Sequence, residues 1–403
     1  MKKEIFFERA NRLKKLPVYL FAQVDEAKRK LKRKGVEIID LGVGDPDIPT
    51  PYPVINRLIK AVQNPQNHRY PSYEGLLSFR EQICKWYLRR FGVSLDPEKE
   101  VIALIGSKEG IAHISLGLLN PGDLVLIPEP GYPVYQAGAI FAGADIYHLP
   151  LLEDNNFLPS LKKIDSQIAS RAKLMWINYP NNPTAAVADI NFFKEVVEFA
   201  KKFNIIVCHD LAYSELSYDG YQAPSLLAVE DAREVGVEFH SLSKTFSMTG
   251  WRIGFAVGNS ELIAALKAVK TNVDSGVFQA IQEAGEEALK QAENLIPEIR
   301  RIYRNRRDFF VKGLKEMGWQ IRLPKATFYL WIKTPAEYTS LEFAQILLDK
   351  CGIVVTPGVG FGPSGEGYVR IALTVKEDKL KKALDRLKKL NLRNKNVKAL
   401  GKC

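Results

Sequence analysis

Residues 101–141 read VIALIGSKEGIAHISLGLLNPGDLVLIPEPGYPVYQAGAIF. Two short apolar runs, Val101–Ile105 and Leu124–Ile127, are bounded by Gly or Pro. Each leads into a stretch with helical spacing, Glu109–Leu119 and then Tyr132–Phe141. Strands that are apolar throughout suit a sheet covered on both faces. The alternation continues outward. Strand-like runs recur at Leu174–Asn178, Ile205–Cys208, Phe239–Leu242 and Gly254–Val257, with helical patterns at Asn191–Phe203 and Glu261–Lys270. Right-handed crossovers between such strands predict an α/β fold with a mostly parallel sheet. Open sheets of this kind bind ligands beyond the carboxyl ends of their strands.

This large domain is expected over residues 47–285. A long helical pattern runs from Ala280 to Met317, where Pro297 is expected to kink or divide it and Gly318 to stop it. Gln320–Leu390 reads as strands plus two helices. Residues 286–390, joined by 1–46, are expected to form a smaller α+β domain, followed by a basic tail over 391–403.

Of 403 residues, 46% are apolar and 26% charged, enough for a large core and far from a disordered or disulfide-dense chain. The net charge of +11 is uneven: residues 1–35 and 376–403 each carry +8, leaving −5 for the rest. The ends read as solvated helix faces, such as Asp25–Lys34 and Lys376–Leu390, not as a nucleic-acid surface. Cys84, Cys208, Cys351 and Cys403 form no CxxC pair, so neither a disulfide framework nor a metal site is expected. No segment approaches 18 uninterrupted apolar residues, and Met1–Arg12 lacks a signal-peptide core. A reducing, cytoplasmic setting without membrane contact is expected.

The strand ends carry unusual residues. Gly106-Ser107-Lys108 opens a helix, and backbone N–H groups there can hold an anion. Tyr179-Pro180-Asn181-Asn182-Pro183-Thr184 makes a stiff turn bearing amides. His209 and Asp210 end an apolar strand. A carboxylate there needs a cation or donor, unless it merely caps a helix. Next come His240-Ser241-Leu242-Ser243-Lys244 and Gly250-Trp251-Arg252. A lysine after an apolar strand, beside serines, suits an amine held near a cofactor, and a planar Arg suits a phosphate.

SLSKTFSMTGWRIGF (241–255) resembles the lysine signature of fold-type-I aminotransferases that use pyridoxal 5′-phosphate (PLP). NYPNNPT, HDLAYSE and GYVRIAL resemble that family's other blocks, in order, so the likeness spans about Arg9 to Leu390. RLKKLPVYLFAQVDEAKRK, IDLGVGDPDIPTP, HRYPSYEGLLSFR and TNVDSGVFQAIQEA are similar to the LL-diaminopimelate aminotransferases. One departure is Ala185, where that family usually has Gly; if the position takes a positive φ, Ala strains the turn.

The resemblance implies the PLP-transferase fold type I and a cytoplasmic homodimer with shared active sites. It implies PLP linked to Lys244, with Asp210 at the ring nitrogen, Asn182 and Tyr213 at the phenolic oxygen, and Tyr132 stacked on the ring. Ser107, Lys108, Ser241, Ser243 and Arg252 are expected at the phosphate, joined by Tyr70 of a neighbouring subunit. Gly44, Asn182 and Arg370 are expected at the substrate carboxylate. Glu74, Lys108, Tyr19 and Tyr73 are candidates for the far end of the substrate. The expected reaction is transamination between LL-2,6-diaminopimelate and 2-oxoglutarate, in lysine and peptidoglycan synthesis. An aspartate-, alanine- or broad-specificity aminotransferase is the alternative. A dehydrogenase is disfavoured, since Gly42–Asp47 lacks a third glycine and places Pro46 where a helix should open. A DNA-binding fusion lacks room before Arg9.

Overall fold

In the computed structural model, residues 7–16, Lys28, Arg33 and 35–390 are described. Tyr19, the tail 391–403 and most of the stretch read as a helix at Asp25–Lys34 lie outside these. The strands, in chain order, are β1 (Ile39–Asp40), β2 (Val101–Leu104), β3 (Leu124–Glu129), β4 (Asp145–Pro150), β5 (Ala172–Ile177) and β6 (Ile206–Asp210). They continue with β7 (Gly236–Ser241), β8 (Gly254–Gly258), β9 (Tyr329–Lys333), β10 (Ile353–Val354), β11 (Thr356–Pro357) and β12 (Tyr368–Ala372).

Seven strands form one sheet in the order β2-β8-β7-β6-β5-β3-β4. Neighbours from β7 to β4 run parallel, and β8 alone is reversed, antiparallel to both β2 and β7. The mostly parallel sheet covered by helices is the architecture the apolar runs call for. Successive side chains enter opposite cores: Ile102 and Leu104 pack with Trp176 and Phe239, while Val101 and Ala103 pack with Phe79 and Phe255. The edge strand β4 was not evident in the sequence. Its run DIYHLP mixes polar and apolar residues, as suits a strand that pairs with β3 at the sheet edge and buries Leu149 fully.

Local chemistry sets the crossover helices. Asp189 accepts from Phe192 N to start Ile190–Phe203, and Asn204, in the left-handed region at φ 57°, ends it. That helix buries Phe192, Phe193, Val196, Val197 and Ala200 against the sheet. Asn259 caps Ser260–Val273 in the same way.

The long helical pattern divides at Gln291, into Gln279–Lys290 and Ala292–Glu316, and not at Pro297. Proline disturbs the bond to the carbonyl four residues earlier, here Glu293. The second helix nevertheless continues through Pro297 to Glu316. Gly318, at φ 86°, follows the helix end as expected.

A second core joins the 39–48 stretch to residues between Ile299 and Leu390. β11, β12 and β9 form an antiparallel sheet, and β1 pairs in parallel with β10. Phe310, Leu330, Phe343, Ile371 and Leu380 fill the space between these strands and the helices Ala292–Glu316, Ser340–Cys351 and Glu377–Leu390. Arg306 grips Asp47 with both terminal nitrogens, at 2.6 and 3.0 Å, and also donates to Leu373 O. This ties the N-terminal segment to the small sheet.

Candidate active site

The carboxyl ends of β2, β5, β6 and β7 share one edge of the large sheet. β8 is reversed, so its first residue lies there too. Gly254 pairs with Ser241 on one side and with Leu104 on the other. The register therefore gathers Ser107, Asn182, Asp210, Ser241, Ser243, Lys244 and Arg252, residues far apart in the chain.

Lys244 lies on the short helix that follows β7, and its Nζ donates to Gly44 O at 2.9 Å. Burial lowers its pKa to about 8, helped by Arg370 and Arg252 and opposed by Asp45 and Asp210. A usable fraction of the amine is therefore uncharged near neutral pH.

Asp210 ends β6 inside the sheet and caps no helix. Its Oδ2 accepts from Tyr135 Oη at 2.7 Å, while Oδ1 is buried without a protein partner. Burial raises its pKa, opposed by the Tyr135 bond and by the charges of His209 and Lys244. Tyr213 follows on the same segment, and its hydroxyl lies 3.1 Å from Tyr329 Oη. Burial drives the Tyr213 phenol well above its usual pKa, so it remains a donor.

The turn after β5 is set by its own amides. Asn182 N donates to Asn178 Oδ1 at 2.8 Å, Thr184 donates twice to Asn181 Oδ1, and Asn178 Nδ2 reaches Asp210 O at 2.7 Å. Ala185 has φ 57°, a left-handed conformation that strains a residue bearing a Cβ.

Arg370, on β12, donates to Asn182 Oδ1 at 2.7 Å and to Gly42 O at 2.6 Å. Its guanidinium lies between the rings of Tyr329 (4.3 Å) and Phe361 (4.8 Å), and its Nε is buried without a protein partner. At Gly44 a Cβ would overlap the Tyr329 hydroxyl, so only glycine fits there.

Ser107 opens the helix Ser107–Leu118. Arg252, in the left-handed region at φ 54°, packs its guanidinium onto Gly106 so closely that a Cβ there would clash. Ser243 Oγ is buried without a protein partner. Free N–H groups at a helix start, a guanidinium and two hydroxyls make a cradle for a phosphate.

The distal candidates are dispersed. Glu74 pairs with Lys267 at 3.0 Å and not with Lys108. Burial raises the Glu74 carboxyl, but the Lys267 ammonium more than offsets this and holds it below the usual range. Lys108 Nζ lies 5.9 Å from the Tyr132 ring centre. Tyr70 is 87% exposed and Tyr73 is 42% exposed. Glu109, His113 and Asp274 approach one another as metal ligands could, but the buried Lys270 ammonium bonds both carboxylates at 3.0–3.2 Å.

Sequence reading missed Tyr135 and Tyr329. The two tyrosines of Tyr132-Pro133-Val134-Tyr135 stand three apart across the start of the helix Val134–Ala142, which was the available signal for the first. Tyr329 reads as an ordinary strand residue.

The family model for aminotransferase class I and II matches residues 36–387. An LL-diaminopimelate aminotransferase from Moorella thermoacetica is 53% identical over 95% of this chain and 98% of its own length. One from Aquifex aeolicus is 54% identical over 96% and 100%. Among solved structures, apo-BacF from Bacillus subtilis superimposes with a TM-score of 0.92 at 41% identity, covering 96% of this chain and 99% of that one. The fold is accordingly the fold-type-I architecture of aminotransferases. The chain belongs to the class I and II aminotransferases and, within them, to the LL-diaminopimelate aminotransferase family.

Proposed function

We propose that this enzyme transfers an amino group between LL-2,6-diaminopimelate and 2-oxoglutarate, with pyridoxal 5′-phosphate as its cofactor. In the biosynthetic direction, tetrahydrodipicolinate and glutamate give LL-diaminopimelate, for lysine and peptidoglycan synthesis. The observation that carries the cofactor reading is chemical. Asp210 Oδ1, Ser243 Oγ and Arg370 Nε are buried without protein partners, around an amine with a pKa near 8. Buried polar groups need partners. A phosphorylated pyridine and an amino-acid carboxylate supply all three.

When bound, PLP supplies an electrophilic carbonyl and a ring that accepts electron density from the substrate Cα. Lys244 Nζ would hold the cofactor at that carbonyl carbon and, once the substrate amine has taken its place, would serve as the base that carries the proton from the substrate Cα to the same carbon. Asp210 Oδ1 would keep the pyridine nitrogen protonated. Asn182 and Tyr213 would donate to the phenolic oxygen, and Tyr132 would cover the ring face. Ser107, Lys108, Ser241, Ser243 and Arg252 would hold the phosphate. Arg370, with Gly44 and Asn182 beside it, binds the α-carboxylate through the N–H groups its protein contacts leave over. The same residues serve both halves of a ping-pong exchange.

The working unit is a homodimer with shared sites. Tyr52, Tyr70, Tyr73, Val273 and Phe278 are exposed apolar residues. Gly276 lies against Ser72 and Pro71, and the His68 and Phe278 rings are 6.4 Å apart, so two of their segments adjoin. An apolar surface of this kind calls for a partner. A second copy covers it and brings its Tyr70 to this chain's phosphate cradle. Glu74, Tyr73 and, where it is not held by the phosphate, Lys108 are the candidates for the distal ammonium and carboxylate, with Tyr19 outside the described residues. The enzyme works in the cytoplasm. Among the described residues no helix is long and apolar enough to cross a membrane, and Cys84, Cys208 and Cys351 are unpaired.

The test is a substrate panel with 2-oxoglutarate as acceptor. Glutamate formation from LL-diaminopimelate supports the reading. Transfer from aspartate alone favours an aspartate-type enzyme.

A further inference from the structure

We propose that Tyr329 is a positioning residue that joins the carboxylate clamp to the donor at the cofactor's phenolic oxygen. The inference rests on the functional reading above. Three contacts carry it. The Tyr329 ring lies under the Arg370 guanidinium at 4.3 Å. Its hydroxyl lies 3.1 Å from that of Tyr213. The same hydroxyl occupies the space that the missing side chain of Gly44 leaves, and Gly44 O receives the Lys244 amine at 2.9 Å. One buried side chain thus touches three residues assigned to substrate and cofactor.

The backbone holds it there. Thr327, two residues earlier, is β-branched yet has φ 65°. Such strain persists only where the surroundings enforce it. Thr327 N donates to Leu216 O at 2.7 Å, its carbonyl accepts from Tyr218 Oη at 2.8 Å, and its Oγ1 accepts from Tyr329 N at 3.0 Å. The last bond sets the start of β9 and aims the Tyr329 ring at Arg370.

The hydrogen-bond direction follows from the roles. Tyr213 must spend its single proton on the phenolic oxygen, so Tyr329 donates to Tyr213. A hydroxyl that accepts a bond becomes a stronger donor. Tyr329 thereby favours the ionised phenolic oxygen, and its ring presents the Arg370 fork flat to the substrate.

Tyr329→Phe and Tyr329→Leu separate these two actions, in the holoenzyme. Tyr329→Phe keeps the ring. Its KM for glutamate is expected to stay within about twofold of the parent's, with the pH midpoint of the cofactor's visible absorption band raised by roughly half a pH unit. In a Tyr213→Phe background the same change moves that midpoint no further. Tyr329→Leu removes the ring, and KM for both glutamate and 2-oxoglutarate rises roughly tenfold. An unmoved midpoint in Tyr329→Phe overturns the inference. So does an equal shift with Tyr213 absent, or an unchanged KM in Tyr329→Leu. Failure of the parent chain to transaminate at all instead overturns the functional reading.

Discussion

Tyr135 donates its phenolic proton to Asp210 Oδ2 at 2.7 Å and leaves Asp210 Oδ1 as the oxygen without a protein partner. The Tyr135 ring is fully buried and stacked on Trp176, with centroids 4.9 Å apart and planes inclined by 16°. Packing locks the tyrosine, the tyrosine locks one carboxylate oxygen, and the other is aimed at the site. Burial raises the Asp210 pKa, so the folded state retains a proton that the unfolded chain releases. Asp210 therefore makes the fold less stable as pH rises from the usual carboxylate value through the raised one.

Asp210→Asn removes that charge and keeps the acceptor for Tyr135. The apoprotein variant should melt at or above the parent's temperature at neutral pH. Its kcat should fall by about 100-fold or more, because a neutral amide cannot hold the ring nitrogen protonated. Thermal melts of the apoprotein and single-turnover rates check both halves. A destabilised variant with near-parent activity contradicts the assignment.

Reaction of the apoprotein with carbonyl reagents should follow the Lys244 free base. With a pKa of about 8, that amine is about one quarter neutral at pH 7.5, against about one in a thousand for an ordinary lysine. The rate of imine formation, followed by absorbance from pH 6 to 10, should rise with a midpoint near 8. Lys244→Ala should abolish the phase. A midpoint at the ordinary lysine value contradicts the burial argument.

Ala185 is 6% exposed and holds φ 57°. Ala185→Gly relieves strain of about 1–2 kcal/mol. It also loses a buried methyl, about 0.8 kcal/mol, and adds unfolded-state entropy of about 0.4–1 kcal/mol. Melting should therefore change little. Ala185→Val puts a β-branched residue into the left-handed region within a packed core and should lower the melting temperature by several degrees. A valine variant as stable as the parent contradicts the strained turn.

Much of the fold was legible because a covered parallel strand must be apolar throughout, as Val101–Leu104 is, and because glycines and prolines punctuate the runs. Lys244 and Asp210 were legible for a related reason: a charge ending such a strand costs energy unless it has work to do. Edge strand β4 escaped because Asp145–Pro150 is mostly exposed or half-buried and so carries no continuous apolar run. Tyr329 escaped because its meaning lies in contacts with Gly44 and Arg370, distant in the chain. The break at Gln291 carries no helix-breaking residue, whereas Pro297 is an obvious one that the helix absorbs.

Glu74→Gln tests the distal end of the substrate. The carboxylate is kept charged by Lys267 at 3.0 Å, is half-buried and directly follows the exposed Tyr73 in the chain. If Glu74 meets the distal ammonium, kcat/KM for LL-diaminopimelate should fall by roughly tenfold or more while that for glutamate changes little. Equal losses with both substrates contradict that role.

The central claim is that the Lys244 amine carries the cofactor. Borohydride reduction of the holoenzyme, followed by protease digestion and peptide mass mapping, reads this directly. The account predicts a phosphopyridoxyl group on the peptide containing Ser241-Leu242-Ser243-Lys244, with none in Lys244→Ala. A label fixed to any other side chain, or no label at all, contradicts it.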